Sequence, residues 1–173
     1  MRLLIAVISI VLLNNCSEMK PEDYKNTKPI IKIEEYFQGN VKAWGMLQAW
    51  SGEVNRQFVA DMKGEFDGKN LILDETFIWN DGEKQERRWA ITKVRDNRYE
   101  GTAPDVVGVA KGVSFGSAFK FEYVLLVPYK DKKIKIRFDD WIFKQDEKTA
   151  INRATLTKFG FKVGELTVLF IKD

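Results

Sequence analysis

The sequence predicts an all-β protein, an antiparallel up-and-down barrel of about eight to ten strands. Apolar and polar residues alternate in segment after segment, as they do in strands with one buried face. Short connections that contain Gly, Asn or Asp separate these segments, and no long helical pattern interrupts them. A meander of this size closes most readily into a barrel, because closure removes the unpaired edge strands.

The early strands are defined by apolar residues at every second position. Before them, residues 30–39 fit two structures, because Ile33, Tyr36 and Phe37 can form one face of a short capping helix or can begin the first strand. A hairpin signal, NDG at residues 80–82, joins two of the strands that follow. The inward residues of these strands are predicted to be Val54, Phe58, Ala60, Met62 and Phe66, then Leu71, Leu73, Phe77 and Trp79, then Trp89 and Ile91.

The second half begins with a glycine-rich segment, residues 101–117. Its glycine spacing fits either a close-packed pair of helices or two short strands that bend at barrel corners, and we favour the strands. The segment SAFKFEYVLLV then turns one face inward, and the stretches KIKIRFDDWIF, AINRATLTKF and ELTVLFIK complete the set. That inward face comprises Phe119, Phe121, Tyr123, Leu125 and Val127.

A basic stripe lies on the outward face of one late strand. The run KDKKIKIR places Lys133, Lys135 and Arg137 at alternate positions of that face. The stripe is either a solvated surface that resists edge pairing or a contact for anionic lipid head groups. Both interpretations keep these three side chains outside the barrel.

Charged residues also occur at inward positions, one on each of four strands: Glu75, Arg87, Asp140 and Arg153. In FDDWIF, alternation turns Asp140 inward and Asp139 outward with Trp141, although a bulge would exchange the two aspartates. Two negative and two positive charges suit a paired interior network, because a buried charge without a partner is costly. Tyr123 and Asp105 are candidates to join this network.

This interior cluster has three interpretations. It can be a salt-bridge network that fixes strand register and closes one end of the barrel. It can be the polar floor of a ligand cavity whose other walls are aromatic. The candidate ligand-binding residues are then Glu75, Arg87, Tyr123, Asp140 and Arg153. It can also hold a catalytic carboxyl pair, Glu75 with Asp140, although nothing in the spacing singles that pair out.

Residue types that the chain lacks narrow the chemistry. The sequence has no histidine and a single cysteine, Cys16. It therefore excludes a Ser-His-Asp triad, a Cys-His pair, and zinc sites built from His or Cys. The formal net charge is +3, and it falls to +2 without residues 1–15, which contain Arg2 and no acid. This near balance argues against bulk nucleic-acid binding. We predict neither a cofactor nor a metal site.

The first residues, MRLLIAVISIVLLNNC, have the layout of a secretory signal. Arg2 precedes an apolar run, residues 3–13, which is shorter than the roughly 20 residues that span a bilayer. Cys16 stands where a lipoprotein signal places its acylated cysteine, and an ordinary secretion signal with a chance cysteine is the alternative. The predicted organisation is a signal peptide (1–15), a lipidated Cys16 with a polar tether (16–29) and one barrel domain (30–173).

A family resemblance rests on five stretches: EEYFQGNVKAWG, LDETFIWNDGE, DVVGVAKG, FDDWIF and INRATLTKFGFKVGE. In order and spacing they resemble the uncharacterised bacterial lipoproteins grouped as domain of unknown function 3833, over residues 30–172. The resemblance implies a lipoprotein of Gram-negative bacteria and carries no known activity, so no catalytic residue is transferred. The barrel is lipocalin-like or calycin-like in architecture alone, since the opening glycine-x-tryptophan signature of lipocalins is absent.

These observations favour a lipid-anchored periplasmic barrel that binds a small apolar or amphipathic molecule such as a lipid. Ser17, directly after the cysteine, resembles lipoproteins that are sent to the outer membrane. A structural or interaction protein of the envelope, with a filled barrel and an unidentified protein partner, is the rival, and an enzyme comes third. The barrel is full if its aromatic rings meet in the middle, and hollow if they line a wall.

Overall fold

The computed structural model describes residues 19–173, and these form a closed barrel of ten antiparallel strands. A 3-10 turn, Pro21–Tyr24, and one helical turn, α1 (Ile33–Tyr36), come before the strands. The strands are β1 (Gly39–Ala49), β2 (Val54–Phe66), β3 (Asn70–Trp79), β4 (Lys84–Arg95), β5 (Arg98–Thr102), β6 (Ala110–Phe115), β7 (Ala118–Tyr129), β8 (Lys132–Lys144), β9 (Thr149–Lys158) and β10 (Phe161–Lys172).

The strand order confirms the predicted up-and-down barrel. Each strand pairs with the next one along the chain, and β1 pairs with β10 to close the circle. The glycine-rich segment forms two short strands, β5 and β6, rather than helices. Residues 19–173 therefore contain every pairing that closes the barrel. Within them, no helix combines the length and the apolar character that crossing a bilayer requires.

One end of the barrel is closed by α1. Ile33 and Phe37 are 1% and 4% exposed, and they pack into the end where β1 begins and β10 finishes. At the opposite end the inward side chains are only half-buried: Leu47, Val127, Ile134 and Leu166. We call these two ends the capped end and the mouth. Residues 30–39 thus adopt the capping helix, the first of the two structures that their sequence allows.

Aromatic rings meet across the interior. Phe58 and Phe77 lie 5.2 Å apart between ring centroids, as do Trp89 and Phe121, and Tyr123 lies 5.4 Å from both Trp89 and Phe121. Such edge-to-face and tilted pairs add about 0.5–1.5 kcal/mol each beyond the area they bury. Most of the barrel is therefore filled by its own side chains.

Two wall glycines make room for these rings. A Cβ atom on Gly45 would lie 2.2 Å from the Phe58 ring, and one on Gly101 would lie 2.6 Å from the Phe121 ring. Real Cβ contacts are never this short, so any larger residue at either position would push a ring out of the core.

Residues 19–31, which we call the strap, lie against the outer wall near the capped end. The Tyr24 ring packs on Trp141 and Phe143, with centroid distances of 5.9 Å and 5.4 Å. The Thr27 hydroxyl lies 2.8 Å from the Ser117 hydroxyl. Residues 16–29 are predicted to be a lipidated cysteine and a polar tether, and the described part of this segment contacts the barrel wall. The strap shields Trp141, an outward aromatic residue that would otherwise face water.

A buried ionic contact fastens the cap to the wall. Glu34, which is 5% exposed, accepts hydrogen bonds from Lys93 Nζ and from the Tyr99 hydroxyl, both at 2.9 Å. Burial alone would raise the pKa of Glu34, but the hydrogen bonds from Lys93 and Tyr99 bring it below the ordinary value. The carboxylate is therefore the preferred form in the folded protein.

We expect Glu34→Gln to lower the free energy of unfolding by about 1–2 kcal/mol, since an amide replaces the charged acceptor that Lys93 and Tyr99 share. Glu35→Gln is the matched control, because the Glu35 side chain on the same turn is 65% exposed. Its effect should stay below about 0.5 kcal/mol. Urea denaturation of both variants checks this, and equal losses would contradict a fastening role for Glu34.

Candidate functional site

A cavity of about 110 Å³ lies between the cap and the middle of the barrel. Its walls are mainly apolar and include Leu73, Trp89, Phe121, Val168 and Phe170. An engineered protein cavity of about 150 Å³ accepts benzene, so this smaller one has room for a group of about four non-hydrogen atoms. The barrel is neither hollow nor completely full.

The polar cluster at the cavity has six members: Glu75, Arg87, Tyr123, Asp140 and Asn152 line the wall, and Asp105 joins through its contact with Arg87. Alternation along the strands brings the five wall residues together. On β3, Leu73 is one inward position nearer the cap than Glu75, and on β4, Trp89 is one inward position nearer than Arg87. The cavity is therefore apolar toward the cap and polar near its middle, and Phe58 and Phe77 line it on the mouth side.

Arg87 is held mainly by Asp105, from the loop that precedes β6. Arg87 Nε donates to both Asp105 oxygens at 3.2 Å and 3.0 Å, and Nη2 donates at 2.9 Å. Burial on its own would lower the pKa of Arg87, but the negative charges of Glu75 and Asp105 raise it. The guanidinium thus stays charged, and its Nε is fully used by Asp105.

Asp140 has a partner for each of its oxygens. The Tyr123 hydroxyl donates to Oδ2 at 2.8 Å, and the Asn152 amide donates to Oδ1. Burial raises the pKa of Asp140 to about 6, against the lowering effect of these two hydrogen bonds. Asp139 faces outward toward Lys120 Nζ, 3.3 Å away. Asp140 therefore points into the barrel and Asp139 points outward, as the alternation predicts.

Glu75 is the member of the cluster that is left incomplete. Its side chain is 9% exposed, and Oε2 has no hydrogen-bond partner among the described residues. Arg87 Nη1 lies 3.5 Å from Oε2, close enough for charge attraction but outside hydrogen-bond geometry. Burial raises the pKa of Glu75 to about 7. The cavity wall therefore offers one free acceptor, which exchanges a proton near neutral pH.

Arg153 does not belong to the cluster, and its predicted inward position is wrong. Its side chain is 66% exposed and pairs with Glu165 on the outer surface. The inward residues of β9 are Ala150, Asn152, Ala154 and Leu156. Ile151, the large apolar residue two positions before Arg153, is 40% exposed, so it marks the outer face of β9 and not the inner one.

Asn152 is the functional candidate that the sequence analysis missed. Its amide donates to Asp140 and also to the backbone oxygen of Trp141, at 3.1 Å. The sequence does hold a signal, because Ala150, Asn152 and Ala154 occupy alternate positions. Alanine indicates the inward face of a strand less strongly than isoleucine does. No group of three or more His, Cys, Asp or Glu side chains within residues 19–173 is arranged to hold a metal ion.

Comparison with known protein families gives a match, over residues 10–172, to a family described as "Protein of unknown function (DUF3833)". The chain belongs to this family. The matched range includes all ten strands, and it confirms the resemblance that the sequence stretches indicate. A comparison with curated proteins found no match.

The fold is also similar to a solved structure, that of the S-type phycobiliprotein lyase from Guillardia theta. The two share 9% sequence identity with a TM-score of 0.59, and the alignment covers 90% of this chain and 98% of the lyase chain. At this identity the likeness concerns the fold alone, which is a lipocalin-like barrel.

Proposed function

We propose that this protein binds a small amphipathic molecule inside its barrel, with the apolar end of the molecule toward the cap. The unpartnered Oε2 of Glu75 carries this proposal. A buried polar atom without a partner costs about 1–3 kcal/mol, and a polar group of a ligand that contacts Oε2 would remove that cost. The apolar volume toward the cap suits the other part of such a molecule.

A ligand longer than the cavity extends toward the mouth. The inward residues there are apolar and half-buried, among them Leu47, Val127 and Leu166. They pack against a second apolar cluster that includes Leu125 and Phe138. A lipid longer than the cavity would displace some of these side chains and keep part of its length exposed. The shared fold of a phycobiliprotein lyase supports a barrel that handles a ligand.

Membrane attachment is the second part of the proposal. Cys16 lies outside the described residues, and its assignment as the acylated residue rests on the sequence around it. Two or more acyl chains give stable attachment, at about 0.8 kcal/mol per buried methylene. We place the barrel on the periplasmic side of the envelope of a Gram-negative bacterium, at the outer membrane. Loss of membrane fractionation in Cys16→Ser tests this part.

A structural or interaction protein is the alternative, because aromatic contacts such as that of Phe58 with Phe77 already fill most of the interior. In that case the cavity is a packing defect, and the outer surface binds a protein partner.

Ligand binding is tested by native mass spectrometry of residues 19–173, purified gently from a bacterial host, with the organic extract analysed in parallel. We expect a stoichiometric small amphipathic molecule. Ala43→Leu fills the cavity and should abolish binding of this molecule. Ala90→Leu adds the same atoms to the outer face of the barrel and should leave binding unchanged. A clean apo mass, together with no binding of medium-chain alcohols or amines in solution, would overturn the binding role in favour of the alternative.

A further inference from the structure

We propose that the polar group of the ligand is a cation, an alkylammonium that binds Glu75, rather than a carboxylate or a phosphate. This inference rests on the proposed function and names the chemical class of the ligand. It follows from three features of the polar cluster: its charge balance, the engagement of its only arginine, and the aromatic faces around it.

The charge balance of the cluster is negative. Its acids are Glu75, Asp105 and Asp140, and its base, within the described residues, is Arg87. With every acid ionised the cluster carries one positive and three negative charges. An anionic head group entering this space would meet like charge, which costs several kcal/mol in a buried site, whereas a cation neutralises it.

Arg87 is not free to receive an anion. Asp105 holds it in a two-pronged contact through Nε and Nη2, with three donor–acceptor distances between 2.9 Å and 3.2 Å. Its remaining Nη1 faces Glu75 at 3.5 Å. A bound carboxylate would have to displace one of these two acids from the guanidinium. An ammonium group needs only an acceptor, and Glu75 Oε2 is one.

The rings beside Glu75 suit a cation as well. Trp89 and Phe121 line the same cavity, and Trp89 stands diagonally across the β3–β4 pair from Glu75. Aromatic faces attract alkylammonium groups, and Trp does so most strongly. The cavity thus combines an acidic acceptor with aromatic walls, as ammonium-binding sites in proteins commonly do.

The proton on Glu75 links ligand binding to pH. The groups that face Glu75 are Arg87 on β4, Asp105 on the loop, and Tyr123 and Asp140 on β7 and β8. With the pKa of Glu75 at about 7, the carboxyl is mostly neutral at pH 5.5 and mostly ionised at pH 8. An ammonium ligand prefers the ionised form, so its affinity rises over this range.

The experiment compares hexylamine, hexan-1-ol and hexanoate, which each contain six carbon atoms in an unbranched chain and differ in the polar group. Isothermal titration calorimetry on residues 19–173 measures their affinities at pH 5.5 and pH 8. We expect hexylamine to bind at least about tenfold more tightly than hexanoate at pH 8. We also expect its affinity to rise about tenfold from pH 5.5 to pH 8, because the amine stays charged while Glu75 ionises.

Two variants assign the effect to Glu75. Glu75→Gln should abolish the preference for hexylamine and the part of its pH dependence centred near pH 7, leaving the smaller part that Asp140 contributes near pH 6. It should leave hexan-1-ol binding within about threefold. Asp74→Asn, at the neighbouring exposed position, should behave as the wild type. Tighter binding of hexanoate, or an unchanged preference in Glu75→Gln, would overturn the inference while the binding role stands. Failure of all three compounds to bind would overturn both.

Discussion

Arg87→Met is expected to lower the free energy of unfolding by about 3 kcal/mol, since it leaves the buried acids Glu75 and Asp105 without their counter-ion. The methionine fills a similar volume, so the loss reports charge rather than packing. Urea denaturation at pH 7.5, where Glu75 is largely ionised in the folded protein, measures it. This expectation holds whether the cluster binds a ligand or only organises the barrel.

The neighbouring arginine is the matched control for this substitution. Arg88 lies on the outer face of β4, where its side chain is 66% exposed and pairs with Asp74 at 3.3 Å. Exposed pairs contribute about 0–1 kcal/mol, so Arg88→Met should change stability little. Similar losses in the two variants would show that Asp105 and Glu75 do not depend on Arg87.

Glu75→Gln is expected to make the protein more stable at pH 8 than the wild type, and to change its stability little at pH 5. The pKa of Glu75 is about 7 in the folded chain against an ordinary value of 4.5. The folded protein therefore keeps a proton that the unfolded chain releases. The stabilising contribution of the neutral acid is complete below about pH 4.5 and is lost as the pH rises through 7.

The expected size of this effect follows from the shift in pKa. The stability difference between Glu75→Gln and the wild type should grow by about 2–3 kcal/mol from pH 5 to pH 8. Asp140 acts in the same direction at slightly lower pH, since its pKa is about 6. It stays in both proteins, so it does not contribute to the difference.

Urea denaturation across this pH range checks the prediction. Glu86→Gln, on the outer face of β4, is the control, because Glu86 is exposed and pairs with Lys84. Its stability curve should run parallel to that of the wild type. A parallel curve for Glu75→Gln would mean that Glu75 titrates as an ordinary surface acid.

The barrel was predictable because its signals are local. Alternation within each strand and glycine-containing turns between strands fix the order of a meander without any knowledge of distant contacts. The conformation of residues 19–31 was less accessible to such reasoning. The polar residues around Pro21 are typical of a linker, and the aromatic surface on which Tyr24 packs is assembled from β8, more than a hundred residues later.

The site residues were predictable only on strands where large apolar residues indicate the inward face. Glu75 and Asp140 each lie between large apolar residues of the same parity, and Arg87 lies two positions before Trp89, so the inward face is visible in the sequence. On β9 the inward residues near Asn152 are alanines, and Ile151 on the other face outweighs them. The pairing of Asp140 with Ala154 settles this register, and that pairing is a property of two strands rather than one.

The strap determines where the chain leaves the barrel, and under the proposed function it also bears on the side from which a ligand would enter. Met19 Sδ lies 2.7 Å from the Tyr24 hydroxyl, beside the capped end, and three peptide units span at most about 11 Å from there to Cys16. With Cys16 in a bilayer as proposed, the capped end stays close to the membrane and the mouth opens on the far side. The protein would then receive its ligand from the periplasm or from a partner, and not directly out of the membrane that holds it.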